Sequence, residues 1–261
     1  MLLSREFVIT PIVALCCIFG ISFSQYPRLQ KLLSGKGDVS IETLRTEQKK
    51  HRLSLNLYKN IPSFGFDNII ANWVFIDFLQ YFGDNEVRDR IGYEISPDFF
   101  EVILNRDPKF LEAYLGLSVS TSLYAGSPEK AIKIMDNNLK LLSPKVPDRA
   151  YYIWRYKGTD ELLFLGDSKA ASNSYRKAAE WASEYDTEEA KNIVYLSQAT
   201  SKFLAENPDS KKALVAGWTM VLQNKVDDKT RERAIREIER LGGKVSINED
   251  GLPTITLPEK D

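Results

Sequence analysis

A shift of forty residues superposes this chain on itself: Tyr114 falls on Trp154, Tyr124 on Phe164, Gly126 on Gly166, Ala131 on Ala171, and Met135 on Tyr175. A fixed period of tens of residues marks supersecondary units that cannot bury their apolar faces alone and must stack on one another. In each copy an aromatic helix ends at a glycine turn, AGSPEKA and then LGDSKAA, and a second helix opens with a small residue that lets the two approach closely. The pattern predicts an all-α protein built as an array of antiparallel helical hairpins.

These residues resemble the tetratricopeptide repeat, with Gly126, Ala131 and Met135 matching in the first copy and Gly166, Ala171, Tyr175 and Ala178 in the second. Asn105 to Pro108 and Leu142 to Pro144 look like the prolines that close one such unit and open the next. The chain departs from that family in its spacing of forty rather than about thirty-four, in Val119 and Thr159 where a small residue is typical, and in Asn138 in place of the second alanine. The resemblance covers about residues 64 to 223 and implies a tetratricopeptide-like solenoid. The segments FGFDN and FLQYFGD also look like those of uncharacterised membrane-anchored repeat proteins of cyanobacteria, which implies a photosynthetic membrane setting.

From Phe7 to Tyr26 no residue carries a charge. That is the length a helix needs to cross a hydrocarbon core of about 30 Å at about 1.5 Å per residue. Residues 1–26 are therefore read as a transmembrane anchor or a signal peptide. Ser22 and Ser24 offer small residues for cleavage before Gln25, whereas the long apolar stretch with Arg28 and Lys31 beyond it favours retention. The excess of Lys and Arg after the segment leans toward a single-pass protein of an inner or thylakoid-type membrane with a cytoplasmic body, although simple N-terminal anchors commonly export theirs.

Residues 27–62 read as a basic juxtamembrane connector containing a helix from Ile41 to Asn60. Residues 63–226 form the helical repeat domain, opened by the aromatic stretch Phe64 to Phe82, which is read as a buried helix or, alternatively, as one lying on the bilayer surface. A third helix pair is expected from Thr187 to Asn224, with Asp186 and Glu189 as its capping box and a break at Asn207-Pro208. Residues 227–261 supply a capping helix from Asp227 or Asp228 to Leu241, then a small β-hairpin, Lys244 to Ile247 and Thr254 to Leu257, around Asp250-Gly251.

Thirty-five Lys and Arg stand against 36 Asp and Glu, a net charge of −1, and give no global attraction for nucleic acid. Cys16 and Cys17 are the only cysteines, and His51 the only histidine, so neither a thiolate metal site nor a cofactor site is expected. Asp77, set among Phe75, Ile76, Phe78 and Leu79, calls for a partner such as Arg88 or Arg90, while His51 is read as a satisfied surface histidine. No phosphate-binding loop or nucleophile elbow is present, which points away from an enzyme. The candidate protein-binding face is Tyr151, Tyr152, Trp154, Arg155, Tyr156 and Lys157, residue types that anchor interfaces. The expected function is a membrane-anchored scaffold or assembly adaptor for a protein partner. An exported carboxylate-based enzyme, or a protein binding glycans or small ligands, is the alternative.

Overall fold

The computed structural model describes residues 5–33, 39–223, 226–247 and 253–259, and among them 12 α-helices and one two-stranded antiparallel sheet. Most of the protein is helical. Helix α1 (Arg5–Leu33) takes up the N-terminal apolar run, and every side chain described along it, from Ile12 onward, is exposed. Among the described residues no helix is long and apolar enough to cross a membrane. The expected span begins at Phe7, and the side chains of residues 5–11 lie outside the described residues.

Helix α2 (Ile41–Asn60) opens at Ser40, whose hydroxyl accepts from the Thr43 amide at 3.2 Å. Within the segment read as a connector, Leu44 and Leu55 are buried, and Leu55 belongs to the main core. Helix α3 (Asp67–Gly83) turns Ala71, Val74, Phe78 and Tyr81 inward at helical spacing. After the short α4 (Asn85–Ile91), helix α5 (Ser96–Arg106) meets that face edge-on, with the Phe78 ring 4.6 Å from Phe100 and 5.8 Å from Phe99.

The two matched units follow. Helix α6 (Leu111–Leu117) runs into a π-helical turn, Ser118–Tyr124, and α7 (Pro128–Leu139) leads to α8 (Tyr151–Leu163) and α9 (Ser168–Ala182). Their turns are bonded alike forty residues apart. Ala125 N–H donates to Ser120 O and Ser127 N–H to Thr121 O, as Leu165 N–H does to Asp160 O and Asp167 N–H to Glu161 O. Gly126 and Gly166 both sit at left-handed φ, 62° and 68°, where a Cβ is strained. The small residues expected at the close approach, Ala131 and Ala171, are fully buried.

Helix α10 (Glu188–Glu206) packs along α9, capped by Thr187 rather than Asp186 because the Thr187 hydroxyl accepts from the Ala190 amide. Tyr151 packs with Ala182 and Ile193, whereas Leu162 packs with Ala171 and Leu204, so α8, α9 and α10 lie antiparallel in sequence. Helix α11 (Lys211–Gln223) does not close a pair with α10 as expected. It returns to α8, where a Cβ on Gly217 would lie 2.3 Å from Leu163 Cδ2. Only glycine permits that approach without moving Leu163.

Asp227 caps α12 (Asp228–Arg240) through the Thr230 amide, and strands β1 (Lys244–Ile247) and β2 (Pro253–Thr256) pair with Val245 opposite Ile255. The hairpin packs on α11 and α12. The expected turn residues Asp250 and Gly251 lie outside the described residues.

Candidate functional site

The six residues singled out on α8 do not share one exposed face. Consecutive helical residues point about 100° apart, so the run divides between core and surface. Tyr151 and Lys157 are buried, and Tyr152, Trp154, Arg155 and Tyr156 are half-buried. Trp154 lies edge-on to Trp181, and the Tyr152 and Tyr156 rings stack. Two of the six reach across to α10: the Tyr152 hydroxyl donates to Glu189 Oε1 at 2.7 Å, and Arg155 Nη1 donates to Ser197 Oγ at 2.9 Å.

Below that face lies a buried polar layer. Asp160 is fully buried and accepts from Ser118 Oγ and Ser122 Oγ, each at 2.6 Å. Removal from water pushes its carboxyl up to about 7, against the two serine hydroxyls, which favour the charged form. The wide π-helical turn brings Ser118 and Ser122 onto the same carboxylate, and such turns recur at functional sites. The neighbouring Glu161 turns to another set, accepting from Lys157 Nζ at 2.5 Å and from Ser174 Oγ at 2.6 Å. These contacts satisfy both carboxylates inside the protein.

The second polar cluster was hidden in the sequence because its members come from three helices. His51 of α2 lies with Nε2 2.9 Å from both carboxylate oxygens of Asp77 on α3. His51 is thus satisfied by Asp77 and one third exposed, and the partner of Asp77 is neither of the arginines expected. Arg88 instead donates to Gly92 O and lies 3.9 Å over the Tyr81 ring, while Arg90 donates to Val39 O. Gln48, His51, Asp77, Gln80, Tyr81 and Arg88 line a cavity of about 220 Å³. Gln48 Nε2 and Arg88 Nε are buried there without a hydrogen-bond partner among the described residues, and the buried Tyr81 Oη has only Arg88, Ser96 and the Ile95 backbone near it, none in good hydrogen-bond geometry. The cluster can take a water or another small polar group.

Nothing in known proteins fixes the reading further. No protein family, curated protein or solved structure matches this chain. Among the described residues, no group of three or more His, Cys, Asp or Glu side chains is placed to hold a metal ion.

Two surfaces remain. Because α11 turns away, the outer side of α10 stays uncovered: Tyr195 is 71% exposed, and Leu196 and Phe203 are each 41% exposed. A groove of about 430 Å³ runs between α9 and α10, lined by Lys169, Ser172, Arg176, Gln198, Ser201 and Lys202. From the sequence only a third helix pair is expected here, with no face of α10 assigned. Only the later course of α11 leaves these apolar residues outside.

Proposed function

We propose that this protein is a membrane-tethered scaffold of helical hairpins that binds a segment of another protein. The observation that carries the reading is the uncovered outer face of α10, where Tyr195, Leu196 and Phe203 end a stack of antiparallel helices with apolar side chains in water. Stacked helical repeats ordinarily end in a polar capping face. An apolar end invites a further helix or an extended segment, and aromatic residues are what interface centres use.

Two more features support an array. The turns at Gly126 and Gly166 carry equivalent hydrogen bonds, and side chains from α8 reach past α9 to α10, as first helices of successive units do in a solenoid. The tether is α1, whose apolar side chains from Ile12 to Phe23 face outward on every side and need a non-aqueous environment. The forty-residue match and the resemblance to tetratricopeptide repeats fit the same picture.

The test is recovery of the tagged full-length protein from native membranes beside the variant Tyr195→Ser/Phe203→Ser. The scaffold reading expects a discrete protein to accompany the parent chain and to be lost from the variant. Identical partners with both chains would remove the α10 face from the account.

A second reading, a protein acting on or binding a small polar ligand, draws on the His51–Asp77 cavity and its unpartnered groups. A thermal shift of the parent chain with a small polar ligand, absent in Asp77→Asn, would favour it.

A further inference from the structure

The α2–α3 hairpin carries an exposed apolar surface that neither the core nor the α10 face explains. Helix α3 is apolar on both sides: opposite the buried Ala71, Val74 and Phe78 stand Ile69, Trp73 and Ile76, which are 50–59% exposed at spacings of four and three. The two helices run antiparallel, joined by Trp73 Nε1 donating to Tyr58 Oη at 3.1 Å and by the His51–Asp77 contact. Along the outside of α2, Leu53 and Leu57 are 70% and 62% exposed. Large contiguous apolar patches are rare on soluble surfaces and mark interaction sites.

The tip of the hairpin is built rather than loose. Arg106 reaches over from α5 and donates to the carbonyls of Tyr58, Lys59 and Ile61, and to Asp67 Oδ1 at 2.8 Å. One guanidinium thus satisfies the open carbonyl end of α2 and the start of α3. Between those fixed ends Phe64 is held at φ 50°, an unfavourable conformation for a bulky residue, and stands 88% exposed, followed by Phe66 at 60%. Strain of this kind persists only where the surroundings enforce it.

Charge selects the occupant. From Gln48 to Ile76 the chain has one acidic residue, Asp67, and that carboxylate is held by Arg106 and Ser63. The same stretch carries Lys49, Lys50, Arg52 and Lys59; Arg52 is paired with Asp98 and Glu94 and Lys59 with Glu101 on α5, so the positive rim rests on Lys49 and Lys50, exposed one turn before Leu53. Aromatic and aliphatic residues rimmed by lysine match the boundary between acyl chains and anionic head groups. Residues 34–40 separate α1 from α2, so the start of α2 lies within about 28 Å of the end of α1 at ~3.5 Å per residue, and α2 carries the tip on by about 30 Å.

We propose that the α2–α3 hairpin docks on an anionic bilayer surface, inserting Phe64, Phe66, Trp73 and Ile76 at the level of the head groups. The site rests on the tethered reading above, since α1 brings the hairpin to the bilayer, yet the two are separable by experiment. Docking fixes the body against the membrane and leaves α10 as the face offered to a partner.

The test is fluorescence of the full-length protein in vesicles of phosphatidylglycerol and phosphatidylcholine, with brominated acyl chains as quencher and Trp73→Phe to identify the Trp73 signal. Docking predicts that bromolipid quenches the parent and that Trp73→Phe removes the quenched component. Phe64→Asp/Ile76→Asp should abolish the quenching with the far-ultraviolet circular dichroism unchanged. Lys49→Gln/Lys50→Gln should weaken docking about fivefold per charge removed.

Trp73 emission unaffected by bromolipid in anionic vesicles overturns the proposal. So does Trp73 shielded instead by a second copy, seen as a hairpin-to-hairpin crosslink. Retention on vesicles after an alkaline carbonate wash reports α1 alone. A chain that is retained but unquenched refutes the docking and leaves the tether, whereas one that is quenched but washed off refutes the tether.

Discussion

The buried carboxyl of Asp160 makes stability depend on pH in a direction opposite to that of most paired acids. An aspartate in water titrates near about 3.9, and burial pushes this one up to about 7. A raised value means that the folded protein prefers the neutral carboxyl. Its contribution is full below the unfolded value and is lost as the pH climbs through the folded one. Over roughly three units, at about 1.4 kcal/mol each, the loss is on the order of 4 kcal/mol between about pH 4 and pH 7. Full burial leaves little solvent screening to reduce it. The groups facing Asp160 are Ser118 and Ser122 from the π-helical turn, and Glu161 beside it on α8. Asp160→Asn replaces the titrating group with a neutral one of the same shape. Urea unfolding of the full-length protein in mild detergent, followed from pH 4 to pH 8, gives the difference between parent and variant. The parent should lose stability relative to Asp160→Asn as pH rises across that window. A difference that stays flat, or that grows in the parent's favour with pH, would refute the reasoning.

The remaining predictions concern packing and turns. Arg106→Ala leaves three carbonyls and Asp67 without their shared donor, and should cost about 2–3 kcal/mol in denaturant unfolding. Gly166→Ala forces a side chain into the left-handed conformation at φ 68° and should cost about 1–2 kcal/mol, read as a lower melting temperature. Trp218 is 3% exposed, edge-on to Phe164 with the Arg233 guanidinium 5.5 Å from its ring. Trp218→Ala should cost about 3–5 kcal/mol and raise hydrogen exchange first in α11, α12 and the β-hairpin.

What was legible in the sequence was local. Gly126 and Gly166 announced their turns because only glycine adopts the required φ cheaply, and Ala131 and Ala171 announced close helix contacts because only a small side chain fits. The capping by Asp227 and the β-hairpin strands were readable for the same reason. Tertiary choices were not. Gly217 gives no sign of which helix it meets, so the return of α11 to Leu163 was invisible and α10 and α11 read as a pair. His51 sits among lysines and arginines in the sequence, and its contact with Asp77 spans 26 positions that only the folded hairpin closes. The aromatic run on α8 divides between core and surface, since neighbouring residues on a helix point in different directions, and the sequence alone does not show where that division falls.

The central claim, a scaffold that offers α10 to another protein, is tested most directly by a photoreactive residue placed at Tyr195 of the full-length protein in its native membranes. The account predicts one discrete protein adduct, lost when Phe203→Asp is added, and none from the same probe at exposed Lys140 of the α7 end. Equal adducts from both positions, or adducts to lipid alone from Tyr195, would contradict it.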